Sequence, residues 1–153
     1  MAPSITTVLL GRNRTARHRY VLVALAVASF LATFAGYALG IFEVSGGIVL
    51  IPFYAAIIGM LAAGWVGYRR AGLAFGWLVT YASLLGWHAD WALYAISRRP
   101  LVDRIAYFVR PDGLAILAVQ ALLLGTLAFA LGFLVRWGSA SIRSKTTPFV
   151  GDE

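Results

Sequence analysis

The chain has 153 residues, 61% of them hydrophobic and 12% charged, with thirteen basic and six acidic side chains and no cysteine. Lack of cysteine excludes disulfides, thiolate metal ligands and a cysteine nucleophile. So apolar a chain of this length makes one domain with little soluble core, and its net charge of +7 is accounted for by basic residues flanking membrane spans, without nucleic acid as a partner.

Residues 1–19 read as a cytoplasmic basic tail. Arg12, Arg14, Arg17 and Arg19 precede the first apolar run and are candidates for contact with anionic lipid, where each is worth about 1 kcal/mol. The run that follows, residues 20–42, exceeds the roughly 7–15 residues of a secretory apolar region, so it reads as a span and not as a cleaved leader. It carries small residues at four-residue intervals, Ala24, Ala28, Ala32, Gly36 and Gly40. In lipid, helices associate by close backbone approach, which makes such a stripe a candidate packing face.

A short turn at Glu43–Gly46 leads to a second apolar run, residues 47–68, with its own stripe of Ala55, Gly59, Ala63 and Gly67. Pro52 falls near its start, where a missing N–H costs little, and reads as a helix-start residue. Arg69-Arg70 then turns the chain into a third run, residues 71–96, which opens with Gly72 and Gly76 at GxxxG spacing and continues to Thr80.

The third run holds His88 and Asp90, the only ionisable residues inside any span and therefore the candidate polar site. Counting about 20 residues from Gly72 puts them within a turn of the outer boundary. Two positions apart on a helix they diverge by about 200°, so they cannot pair with each other. The expected partners of Asp90 are the nearby Arg98 and Arg99. An ion pair at the interface is the plain reading, and the mouth of a polar cavity the sharper one.

The connection 97–113 is long enough to hold structure. Leu101, Ile105 and Val109 recur at helical spacing between Pro100 and Pro111, which predicts a short amphipathic helix over 101–109 lying in the outer interface. The fourth run, residues 114–135, carries Ala118, Ala121, Gly125, Ala128 and Gly132 at alternating spacings of three and four, a small-residue seam. Residues 136–153 read as a second cytoplasmic tail.

With the N-terminus inside, four crossings put nine basic residues on the cytoplasmic side and four outside, which favours both termini in the cytoplasm. Tyr20, Trp65, Tyr68 and Trp137 then mark the inner headgroup level, and Tyr37, Trp87, Trp91 and Tyr94 the outer one. The expected fold class is thus an all-α integral membrane protein of the cell membrane. Four transmembrane helices form an up-and-down bundle, with a short interfacial helix between the third and fourth. Arginine makes up twelve of the thirteen basic residues, and Ala, Val, Leu and Gly are abundant, as in chains from GC-rich prokaryotic genomes.

His18 and His88 fall on opposite sides of the bilayer, which excludes paired haem ligation within one chain, and no residue set points to a metal or any other cofactor. The expected function is that of a non-catalytic structural or accessory subunit. It would assemble with itself or with other membrane proteins through Ala28, Ala32, Gly36, Gly40, Gly59, Ala63, Gly72, Gly76, Gly125 and Gly132, with the lipid bilayer as its other partner. The alternative is a small oligomeric transporter or channel with Asp90 and His88 near its outer mouth. A membrane enzyme would have to build its site from the same two residues with Trp87, Trp91 and the external arginines.

Overall fold

The computed structural model describes residue 9 and residues 16–43, 52–96 and 98–145. All its regular structure is helical among the described residues: α1 (Ala16–Ala38), α2 (Phe53–Tyr68), α3 (Leu73–Asp90) continued by a π-helical turn (Trp91–Ala95), α4 (Leu101–Phe108) and α5 (Pro111–Lys145). Two helices are long and apolar enough to cross a membrane by length and composition, one near the N-terminus and one toward the C-terminus.

The element bounds depart from the expected spans at several points. Helix α2 is only 16 residues, about 24 Å at 1.5 Å per residue. Pro52 is its N-cap, with φ −69° and ψ 110°, so the proline sets the start and does not sit inside the helix. Positions 47–51, expected to open this span, lie outside the described residues. At the other end α5 runs 35 residues to Lys145, so the expected tail from 136 onward begins as helix. The short helix predicted over 101–109 is present as α4, between the two prolines that bound it.

Each turn out of a helix is built from local chemistry. Helix α1 ends where the N–H of Gly40 bonds to the Tyr37 carbonyl and the N–H of Ile41 to that of Gly36, with Gly40 at φ +69°. This is a Schellman closure, which needs a left-handed residue at that place. The same pair of bonds closes α2, from Arg70 to Gly67 and from Ala71 to Val66, but here Arg70 takes the left-handed conformation at φ +53°. Gly72 follows as the N-cap of α3 at φ +111°, a backbone that side chains with a Cβ rarely adopt.

Helix α3 is the centre of the molecule: α1, α2 and α5 all pack on it, and α2 also packs along α5. Two apolar layers fill the interior. One joins Leu22 and Ala26 of α1, Ala62, Ala63 and Val66 of α2, Val79 of α3 and Ala128 of α5. The other joins Tyr37, Ala55, Leu84, Leu117 and Ala121. Between them lie the hydroxyls of Thr33, Thr80 and Ser83, all fully buried.

Those hydroxyls are satisfied within the bundle. Ser83 Oγ donates to the Ala55 carbonyl at 2.7 Å, so its single proton is spent, and the 2.8 Å contact with Thr33 Oγ1 must be donated by Thr33. One side chain of α3 thereby ties α1 to α2. Thr80 Oγ1 lies 2.9 Å from the Gly76 carbonyl and 3.4 Å from that of Gly59, while Trp77 Nε1 donates to Thr126 Oγ1 on α5 at 2.9 Å. Large apolar side chains lie on the outside: Val23, Val27 and Leu31 of α1, Leu61 of α2, and Leu123, Leu127 and Leu131 of α5 are exposed.

Candidate functional site

Small residues decide where the helices touch. On α2, Ala55, Gly59, Ala63 and Gly67 are all buried, and a Cβ at Gly59 would lie 3.0 Å from the Thr80 Cα of α3. On α5, Ala121, Gly125 and Ala128 are buried, and a Cβ at Gly125 would meet the Gly76 carbonyl at 3.2 Å. A Cβ at Gly132 would overlap the Gly64 carbonyl, and one at Gly67 the Phe129 carbonyl. Of the expected packing residues, Gly59, Ala63, Gly76, Gly125 and Gly132 therefore sit at helix–helix contacts.

The first-span stripe does not. Ala24, Ala28 and Ala32 are exposed, because α1 turns its opposite face, Leu22, Ala26, Ser29 and Thr33, toward α3. Gly36 is buried under the Phe42 ring of its own connection and not under another helix. Gly40 and Gly72 serve backbone conformation at helix ends. Two contacts were not anticipated: Gly64, and Gly86, where a Cβ would lie 3.1 Å from the Phe34 nitrogen of α1. Both glycines fall off the four-residue spacing, which is why the stripes pass over them.

The candidate polar residues sit where α3 gives way to the π-helical turn. A π turn inserts one residue, shifts the carbonyl register and occurs often at functional sites. Here the Leu93 carbonyl accepts from Arg104 Nη2, which fastens α4 to the end of α3. His88 is 6% exposed, its ring stacked near Tyr107 at 5.6 Å and Phe108 at 5.5 Å between centroids. His88 Nε2 lies 3.3 Å from the Phe108 carbonyl, and since a carbonyl only accepts, this bond requires the ring proton on Nε2. A cleft of about 140 Å³ opens beside it, lined by His88, Tyr107, Arg110, Asp112 and Gly113.

Asp90 is 9% exposed and, two positions along the helix from His88, falls on a different side of α3. The divergence of His88 and Asp90 along the helix is as expected, and both are buried. The expected pairing of Asp90 with an arginine is not formed among the described residues. Arg98 and Arg99 are exposed, Arg104 is turned to Leu93, and Arg110 pairs with Asp112 at 3.4 Å on the surface. Helix α4 folds back over the end of α3 and covers His88.

Of the expected lipid-contact arginines, Arg19 is exposed on α1, Arg17 lies in its first turn, and Arg12 and Arg14 lie outside the described residues. Among the described residues no three histidine or carboxylate side chains come together as a metal site. Chemically, the arrangement offers one imidazole bound to a backbone carbonyl and one buried carboxylate on separate faces, a pair that cannot exchange a proton directly. Neither protein-family models, curated proteins nor solved structures match this chain.

Proposed function

We propose that this chain is a non-catalytic, multi-pass protein of the cell membrane with both termini in the cytoplasm, a structural or accessory subunit that assembles through helix faces its own bundle leaves unused. In this reading α1, α2, α3 and α5 cross the bilayer as an up-and-down bundle, with α4 in the outer interface. Apolar side chains exposed along α1, α2 and α5 support the membrane reading, because so much apolar surface is stable only against lipid or a partner.

The observation that carries the assembly reading is the outward face of α1. Ala24, Ala28 and Ala32 would let another backbone approach closely, and Val27 and Leu31 flank them. The partner is a second copy or another membrane protein. Purification in mild detergent should give a discrete assembly, and Ala28→Leu with Ala32→Leu should dissolve it while leaving helical content unchanged. A monomer in several mild detergents, unaffected by that pair, would count against the reading.

A second reading, a small oligomeric transporter or channel, is favoured by the buried carboxylate of Asp90, for which no ion pair forms among the described residues. Flux in proteoliposomes that is lost on Asp90→Asn would promote it over the subunit reading.

A further inference from the structure

The cleft where α4 meets α5 carries both signs of charge beside a wall of rings. It is lined by His88, Tyr107, Arg110, Asp112 and Gly113 around a volume of about 140 Å³. The His88 and Tyr107 rings lie 25° from parallel with 5.6 Å between centroids, and the Nε2 proton of His88 is spent on the Phe108 carbonyl. Gly113 keeps the edge of the imidazole open, since a Cβ there would stand 3.3 Å from His88 Cε1. The charged members of the lining are mostly exposed, with Arg110 Nη2 and Asp112 Oδ2 3.4 Å apart. So exposed an ion pair holds weakly and yields to a ligand that satisfies both of its partners.

A lone anion entering this cleft would meet Asp112, and a lone cation Arg110. A group that carries an anion and an ammonium on a short linker satisfies both, and an aromatic wall favours the ammonium. Apolar surface then leads away from the charges. Ile116, Val119 and Leu123 follow Asp112 along α5 at intervals of four, three and four residues, and all three are exposed. That spacing keeps them on one side of the helix with Asp112. One helix face thus joins a doubly charged head to a track for hydrocarbon.

We propose that this cleft binds the headgroup of a zwitterionic phospholipid with a primary ammonium, phosphatidylethanolamine. Its phosphate lies on Arg110, its ammonium on Asp112 beside the rings of Tyr107 and His88, and an acyl chain along Ile116, Val119 and Leu123. The inference rests on the membrane reading above, which puts this end of the bundle at headgroup level. In mild detergent, native mass spectrometry should show phosphatidylethanolamine retained over two other lipids. Asp112 repels the net negative headgroup of phosphatidylglycerol, and the quaternary ammonium of phosphatidylcholine has no N–H to donate to it. Asp112→Asn should lower retention of phosphatidylethanolamine about two- to fivefold and remove its preference over phosphatidylglycerol, and Arg110→Gln should lower retention of both by a similar factor. Arg98→Gln with Arg99→Gln, exposed but outside the cleft, should leave retention unchanged.

Gly113→Leu is the second variant, since its side chain enters the cleft without removing either charge and leucine suits a helix. With circular dichroism matched to the parent, it should abolish the preference for phosphatidylethanolamine; if helical content falls, Asp112→Asn alone decides. Equal retention of the three lipids, or a preference that survives Asp112→Asn, overturns the inference. Displacement of the lipid by millimolar phosphoethanolamine would assign the cleft to a soluble zwitterion and overturn the lipid assignment. If the protein stays soluble without detergent, the membrane reading fails and this inference with it; if it needs detergent but does not discriminate lipids, only the inference fails.

Discussion

Ser83 is the residue on which three helices converge, donating to α2 and accepting from α1. Interhelical hydrogen bonds of this kind average about 0.6 kcal/mol in membrane proteins, so Ser83→Ala, which loses two, should cost about 1 kcal/mol in a detergent unfolding titration. Thr33→Val should cost about half as much, since the bond from Ser83 to Ala55 survives. A loss of less than a few tenths for Ser83→Ala would mean the hydroxyls are incidental. Asp90 gives the opposite expectation. A buried charge without an ion pair costs stability, so Asp90→Asn should keep or raise the melting temperature; a marked fall would show that the carboxylate is held by a partner outside the described residues.

At the scale of the element, glycine contacts separate helices that pack from helices that only resemble packing ones. Gly132→Leu must push α5 off the Gly64 backbone and should destabilise by about 1–3 kcal/mol or more, whereas Ala28→Leu on the outward side of α1 should stay within about 0.5 kcal/mol for the isolated chain. Thermal melts of the two variants compare these directly, and equal losses would contradict the assigned faces. Helix α4 is fastened to the end of α3 by Arg104 and by the His88–Phe108 bond, so Arg104→Gln should raise hydrogen exchange over residues 101–108 with little change in α3. Protection unchanged by that substitution would show that His88 and the flanking prolines hold α4 without Arg104.

The same elements show what could be read in advance. Helix α4 and the seams of α2 and α5 were legible, because a proline-bounded amphipathic run and small residues in register each leave few alternatives. The α1 stripe turns out to lie on the outer side of the bundle, because alanine suits an outward surface as well as a packed one. Thr33 was the better guide, since its hydroxyl bonds Ser83 across the contact with α3 and so marks the inward side. Burial of His88 was not legible, for it depends on α4 folding back, a tertiary event with no local signature.

For the molecule as a whole, the account stands or falls on a bilayer crossed four times with both termini inside. Charge already divides the described residues, Arg69, Arg70 and Arg136 gathering at one end and every described carboxylate at the other. The natural absence of cysteine allows a direct measurement: single cysteines at Asp103 in α4 and at Ser139 in α5, probed in intact cells with a membrane-impermeant maleimide. Asp103→Cys should label in intact cells and Ser139→Cys only after permeabilisation. Labelling of both in intact cells, or of Ser139→Cys alone, would contradict the account.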